Sequence, residues 1–430
     1  MMSFFQVQLA LITNALPMFI KHLKSGDWEA ILYFNNKALW KIWNLLFFPF
    51  GMVLVLIMRS IRPFVLIRVN VLVSERIGHF AGNTELYLCE RDEGINVPEE
   101  RYLDLWYHNW PIANKQLACM WNRVLHVGPR WLLSSVKVIN DLIPGGEVHK
   151  ISSNTQTDID VYNLLDKFPP HLSFLSKEEE KGKSGLQALG IPEGAPFVCI
   201  IVRDSSYLKK SVPWKSWSYH DYRDCDIQNY LLVAQKLTER GYYVVRMGAV
   251  VKEAMNVDHP MIIDYATNGM RGDFMDIYLA AHCSFCIAGN AGFEAVPHIF
   301  RRPIVHVDYM PLGMVHTESA RLISTTKKHW SRDESRFLTL KEILESDIGF
   351  LWDSSAYDAK GIDLIESTPE EIAAVGLEMD ERLKGSWQTT IKDEELQKQF
   401  WEIFPKGENH GEIRCYIGAH FLREHNKQLD

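Results

Sequence analysis

The chain has 430 residues, 47% of them hydrophobic and 23% charged, with a formal net charge of −8 at pH 7. That length has room for two or three domains, and the acidic balance excludes a general nucleic-acid binder, which needs a basic stripe. The 7 cysteines are an odd, scattered set lying mostly in apolar runs, which fits reduced thiols in a cytosolic compartment rather than a disulfide framework.

The N-terminus carries two apolar runs, VQLALITNALPMFI from residue 7 and an uncharged stretch from Ile42 to Met58. Lys37, Lys41, Arg59 and Arg62 flank the second run, and Pro49 and Gly51 interrupt it. A spanning helix needs roughly 20 apolar residues, so the run is short for a span. An interfacial or re-entrant segment, a short spanning helix and a buried helix stay open. Basic flanks and two tryptophans at one end favour the membrane surface. Residues 1–63 are therefore expected to hold the chain to a membrane, peripherally or as a monotopic anchor.

FVLIRVNVLV (64–73) reads as a buried strand. SERIGHFAGNTELYL reads as a polar glycine loop entering a helix, with Asn83, Thr84 and Glu85 as cap residues. A short strand at 104–108, a helix at 113–125, a segment at 131–143 that is helix or strand with helix favoured, and a charged helical stretch at 176–190 complete a first α/β unit, 64–190. GIPEGAP (190–196) is a boundary. In the second unit, 191–350, strands are expected at 197–202, 242–248, 261–266, 284–288 and 303–309. Helices at 226–241 and 273–283 and a short one over NAGFEAVPHIF separate them. Short strands alternating with helices indicate a doubly wound parallel sheet. Residues 351–430 read as charged and mostly helical. The expected fold class is α/β: two Rossmann-like domains with a cleft between them.

Ligands of such sheets bind beyond the carboxyl ends of the strands, so the residues after each strand are the candidates. After the first strand come Arg76, Gly78, His79 and Asn83. A glycine loop entering a helix leaves N–H groups for an anion or a sugar, and His79 is a candidate base; an incidental surface loop is the alternative. Arg203 follows one strand of the second unit and Arg246 another, and a guanidinium fork suits phosphate oxygens. A simple Arg–Asp pair at the strand end competes with that reading. SYHDYRDCD (218–226) is either a catalytic or metal-binding patch or, more cheaply, a polar loop running into a helix cap, since its acids lack a metal-loop spacing. Cys283 and Cys286 form a lone CxxC whose side chains would point to opposite faces of a strand, so they read as core rather than as metal ligands.

Gly289, Asn290, Ala291 and Gly292 end a buried strand and open a helix, with Glu294 in its first turn. Small residues let a ligand approach the backbone, and a carboxylate there can accept hydrogen bonds from sugar hydroxyls. A glutamate placed for the helix dipole alone is the alternative.

With these residues in view, DIYLAAHCSFCIAGNAGFEAVPHIFRRPIVHVDY, HDYRDCDIQNYLLVAQKLTERGYYVVRMG and RIGHFAGNTELYL resemble a family of bacterial glycosyltransferases of surface-polysaccharide synthesis, over residues 64–350. The resemblance implies a GT-B enzyme needing no metal or other cofactor. Its nucleotide-sugar donor would be held by Arg203, Arg246, Gly289, Asn290, Gly292 and Glu294. Arg76, Gly78 and Asn83 would lie on the acceptor side, and His79 at a catalytic position. It further implies a glycan or lipid-linked acceptor at the cytoplasmic face of a bacterial inner membrane. The turn departs from the family's serine or threonine, having Asn290 and Ala291. A nucleotide-sugar epimerase of the same fold and an inactive sugar-binding scaffold are the alternatives. SSNTQTDID (152–160) has no assigned role.

Overall fold

The computed structural model describes residues 28–151, 159–211, 216–407 and 409–425. The apolar run at 7–20 and most of SSNTQTDID lie outside them. A single helix, α1 (Trp28–Ser60), carries the Ile42–Met58 stretch with Pro49 inside it. Among the described residues no helix is long and apolar enough to cross a membrane.

β1 (Leu66–Leu72) and β2 (Tyr102–His108) pair in parallel. Beyond them, among the described residues, the first unit adds only single bridges, Val69 to Lys150 and Trp106 to Val127. Where an open Rossmann-like sheet was expected, there are two strands. The stretch after the helices, Pro144-Gly145-Gly146, interrupts the chain where a third strand would form, and no β-branched run follows it. The pair is clamped internally. Arg68 faces Asp104 in register and donates to both its oxygens, at 2.7 and 2.6 Å, and Tyr87 Oη donates to Asp104 at 2.5 Å. This buried arginine–carboxylate fork is satisfied on several sides, as a charge pair out of water must be.

α2 (Ile77–Glu93) follows β1 and starts earlier than the glycine-loop reading placed it. Arg76 is its extended N-cap, and Gly94, at φ 83°, closes it in the left-handed region. The three expected caps lie inside the helix instead, where residues 80–90 are all buried. Thr84 Oγ1 donates to the Phe80 carbonyl at 2.8 Å, the local bond a mid-helix threonine makes. α3 (Lys115–Val124) and α4 (Arg130–Leu142) follow, and two more helices, Leu164–Lys167 and Ser176–Ala188, lie before the boundary.

The main sheet takes β3 (Phe197–Val202), β4 (Tyr243–Met247), β5 (Ile262–Asp264), β6 (Phe285–Gly289), β7 (Ile304–His306) and β8 (Leu322–Ser324). β9 (Lys328–Ser331), β10 (Arg336–Phe337) and β11 (Ile362–Ile365) form a separate antiparallel sheet, and β12 (Tyr416–Ile417) returns to the main one. The main sheet has 7 parallel strands in the order β12-β8-β7-β6-β3-β4-β5. Alternate residues of β3 feed opposite cores. Val198 and Ile200 pack with Val233 and Leu237 of α5 (Leu231–Glu239) and Ala373 of α6 (Pro369–Leu383), while Cys199 and Ile201 pack with Leu279 of α7 (Asp273–His282). Cys283 and Cys286 join one core cluster, not two faces, because Cys283 caps α7 before the strand begins. All 7 cysteines are free thiols.

Candidate functional site

The chain runs from β3 outward through β4 to β5, then returns to the other side of β3 with β6, β7 and β8. The direction of winding therefore reverses between β3 and β6, which is where doubly wound sheets open a crevice for ligands. Val202 and Gly289 are paired at this edge. Arg203 and Asn290 are thus the first residues beyond the two central strands.

Arg203 is 11% exposed in its side chain and forms an ion pair with Asp224, Nε to Oδ1 at 3.2 Å, as the Arg–Asp alternative expected, yet among the described residues neither atom makes a hydrogen bond. Burial lowers its pKa, and so does Arg223 beside it. The Arg223 Nε is likewise buried without a hydrogen-bond partner, while its Nη2 meets His220 Nδ1 at 3.0 Å. Two adjacent guanidinium groups with unmade N–H bonds are an electrostatic cost that an anion removes. Burial pushes the Asp224 carboxyl up to about 6, against the pull of Arg203. The sequence reading placed Arg223 in a segment that was either a catalytic or metal-binding patch or, more cheaply, a loop and cap, and did not pair it with Arg203. Asp226 does cap the turn at 227–230, accepting from Gln228 N at 2.8 Å.

Arg246 is a correction. The strand runs on to Met247, so Arg246 lies within it rather than at its tip. The side chain is 2% exposed and donates to the Glu253 carbonyl at 2.7 Å and to Asp264 at 3.2 Å. It braces β4 to β5 and its loop and is not presented at the strand tips.

The turn after β6 is held from within. Asn290 takes φ 45° and donates through Nδ2 to the Met310 carbonyl at 2.6 Å. Its amide is used in fixing the turn rather than presented to a ligand. Glu294 accepts from Ala291 N at 3.0 Å in a capping arrangement, which matches the helix-start alternative. Behind Gly289 stands the Tyr230 hydroxyl, 2.8 Å from where a Cβ would be.

The expected acceptor-side residues meet this turn directly. A Cβ on Gly78 would fall 2.8 Å from the Gly292 carbonyl oxygen. His79, half-buried beside it, places Nδ1 3.4 Å from Asn83 Oδ1, and Asn83 itself is buried. Arg76 is exposed at the start of α2. The structure thus brings Gly78, His79, Gly292 and Glu294 to one junction, with Arg203 and Asn290 at the adjoining strand tips. The junction is closed: the cavity between Gly82, Glu294, His298 and His316 holds ≈ 20 Å³, room for about one water and far short of the ~300 Å³ a small-molecule pocket needs. A larger cavity of ≈ 310 Å³, lined by Lys183, Phe197, Tyr278 and His282, sits at the start of β3, the wrong end of a parallel strand for this kind of site.

That small cavity has a floor the sequence reading missed. On α8 (Ala295–Ile299), His298 lies 3.7 Å from Glu318, which also meets His316 Nδ1 at 2.8 Å. Burial pushes His298 down to about 4. Burial also works to raise Glu318, but His316 and His298 overcome it and hold the carboxyl at about 2. The one signal available was spacing: His298 is four residues after Glu294, on the same helical face.

Two described groups bring three ligand-type atoms within 4.8 Å of one another: Glu85, Cys89 and His171, and Cys225, Asp308 and Glu366. Each already has a cation, Arg301 at 2.6 Å from Glu85 and Lys327 at 3.8 Å from Glu366.

The chain matches no protein-family model and no curated protein. Solved structures similar to it include the E. coli ADP-heptose LPS heptosyltransferase II, at 13% identity and a TM-score of 0.34, covering 60% of this chain and 90% of that one. Another is the glycosyl transferase family 9 protein from Veillonella parvula DSM 2008, at 11% identity and a TM-score of 0.32, covering 56% and 80%. A third is the iron-containing dodecameric glycosyltransferase TibC from enterotoxigenic E. coli H10407, at 13% and 0.28, covering 57% and 59%. Identities and scores this low carry neither a fold nor an activity across to this chain. The class its own strands define is a doubly wound α/β sheet with a cationic pair at the point where the winding reverses.

Proposed function

We propose that the chain is a glycosyltransferase that takes a sugar from a nucleotide-diphosphate donor and passes it to a glycan hydroxyl. One observation carries the reading: Arg203 and Arg223 stand side by side at the switch point, each with a buried Nε–H that makes no hydrogen bond among the described residues, with Asp224 the carboxylate beside Arg203. In this reading they hold the diphosphate. The bond between the anomeric carbon and the phosphate oxygen breaks as the acceptor oxygen attacks. The negative charge that grows on the departing diphosphate is met by the arginines. His79 takes the acceptor's proton; with its Nδ1 donating to Asn83, Nε2 is the accepting nitrogen. Glu294 and Gly292 line the sugar side. Because the junction is closed at the Gly78–Gly292 contact, the donor enters by parting α2 from the turn after β6.

Calorimetric titration with nucleoside diphosphates and their sugars tests this. Arg203→Ala and Arg223→Ala should each weaken binding by roughly 10- to 100-fold, the loss of a charge-assisted hydrogen bond, while His79→Ala should bind donor normally and lose turnover. If both arginine variants bind like wild type, the site is misplaced. A binding module without turnover is the second reading, favoured by the engagement of Asn290 with Met310. Donor binding with no transfer to any acceptor would select it, and an isomerised sugar in the absence of acceptor would select an epimerase.

A further inference from the structure

Helix α1 is apolar on two sides. Its inner side packs: Val55 is 0% exposed and Met58 6%, and both join Val136 and Ile139 of α4 in one core cluster. Its outer side stands in water. Leu46 is 73% exposed, Phe50 55%, Val53 52%, Leu56 54% and Ile57 52%, with Ile42 and Trp43 at the same face. On a helix of about 3.6 residues per turn these positions span an arc of roughly 140° and, from 42 to 57, about 22 Å of length. A helix apolar all round is normally buried, in a core or in lipid. A contiguous exposed patch of this kind marks an interaction surface.

Three occupants can be weighed. The first is the chain's own apolar run at 7–20. That run lies outside the described residues, and if it covered the face the wild type would stay off vesicles, which the test below reads. The second is another copy of the chain. A two-stranded coiled coil buries a narrow a/d seam, and an arc this broad would leave much of its apolar surface outside the seam. The third is a lipid surface, which wets the whole arc at once. Its borders suit that occupant. Trp43 donates through Nε1 to the Trp131 carbonyl at 3.0 Å, and the two partly exposed indoles meet edge to face, the residue type that gathers at bilayer interfaces. Arg62, 44% exposed, stands past the other end beside Glu100 at 3.2 Å, and Arg59 is held by the Asn140, Ile143 and Pro144 carbonyls. The length of the face falls short of the roughly 30 Å hydrocarbon core, and its inner side is covered by protein, so the helix would lie along the surface rather than cross it.

We propose that the Ile42–Ile57 face of α1 docks on a bilayer surface, embedding Leu46, Phe50, Val53 and Ile57 in the boundary between headgroups and acyl chains. This is independent of the enzymatic reading. The full chain is sedimented with vesicles of equal parts phosphatidylcholine and phosphatidylglycerol. Wild type should pellet with them, and Leu46→Glu/Phe50→Glu/Val53→Glu, changed only at exposed positions, should partition about tenfold less or worse. A second readout needs no destabilising change: an environment-sensitive fluorophore on Phe50→Cys, in a Cys119→Ser background since Cys119 is the exposed cysteine, should shift to the blue on vesicles. The proposal is overturned if wild type stays in the supernatant, if the triple variant pellets like wild type, or if the probe stays water-like on vesicle-bound protein. It is also overturned if wild type forms a dimer that the triple variant cannot form and neither binds vesicles, which would make the face a contact between copies.

Discussion

Gly78 and Gly292 set how closely α2 approaches the turn after β6, and their tolerances differ. A methyl on Gly78 meets two backbone atoms of Gly292, at 2.8 and 3.2 Å, whereas one on Gly292 would sit at an ordinary 3.8 Å from Gly78. Gly78→Ala gains up to about 1 kcal/mol of helix propensity, but separating two backbones costs about 1–3 kcal/mol. A net fall in thermal midpoint is expected, with Gly292→Ala close to neutral; equal effects would show that the junction is looser than it looks. At the same site His298 makes a pH prediction. Its folded pKa of about 4 lies below the unfolded value near 6.5. Above 6.5 the group is neutral in both states and has no effect. As pH falls from 6.5 towards 4 the unfolded chain takes up the proton first, and stability is lost. Between pH 6.5 and 5 that amounts to roughly 1.5 kcal/mol. Denaturant midpoints of wild type and His298→Gln should therefore diverge over this window, wild type losing more. Asp224 and Asp308, both raised to about 6 mainly by burial, pull the other way in both proteins and cancel in the comparison.

At the scale of elements, boundaries were legible where local chemistry decides them. The threonine before α6 and the proline at its first position announce its start, and the structure places a full capping box there: Thr368 N donates to Glu371 at 2.7 Å and Glu371 N donates back to Thr368 Oγ1 at 3.3 Å. Thr368→Ala should cost about 1 kcal/mol, read as a lower urea midpoint with an unchanged slope; a silent substitution would mean that the helix is held by packing alone. α2 shows the opposite case. Its glycines and its Asn-Thr-Glu read locally as loop and cap, but burial on both sides forces them into helix. Gly78 stays glycine because of Gly292, a residue more than two hundred positions away that no local pattern can see. Arg246 failed for a related reason: one or two residues of strand length decide whether a side chain sits at a tip or inside a sheet.

For the molecule as a whole, the order of the strands matters more than their existence. Seven short apolar segments do not say which two are neighbours, yet the pairing of β3 with β6 is what sets Arg203 beside Asn290. If a phosphate group is bound there and entry parts the junction, hydrogen exchange should respond in two places. On adding nucleoside diphosphate, amides at 203–206 should slow and those at 78–82 should quicken. No change at either place would separate the arginine pair from any ligand and the junction from any opening.

The α/β class, most strands of the main sheet, the apolar character of α1, and Arg203 and Gly292 as residues of the strand tips were legible in the order of residues. These follow from periodicity, turn chemistry and composition, which act over a few residues. It took the folded chain to show that the first sheet stops at two strands among the described residues, that Arg246 and Asn290 are committed to internal partners, that Arg223 joins Arg203, and that His298, His316 and Glu318 share a buried floor. Each of these depends on contacts between segments far apart in the chain, and on burial, which sets both the charge state of a side chain and whether it has anything left to offer a ligand.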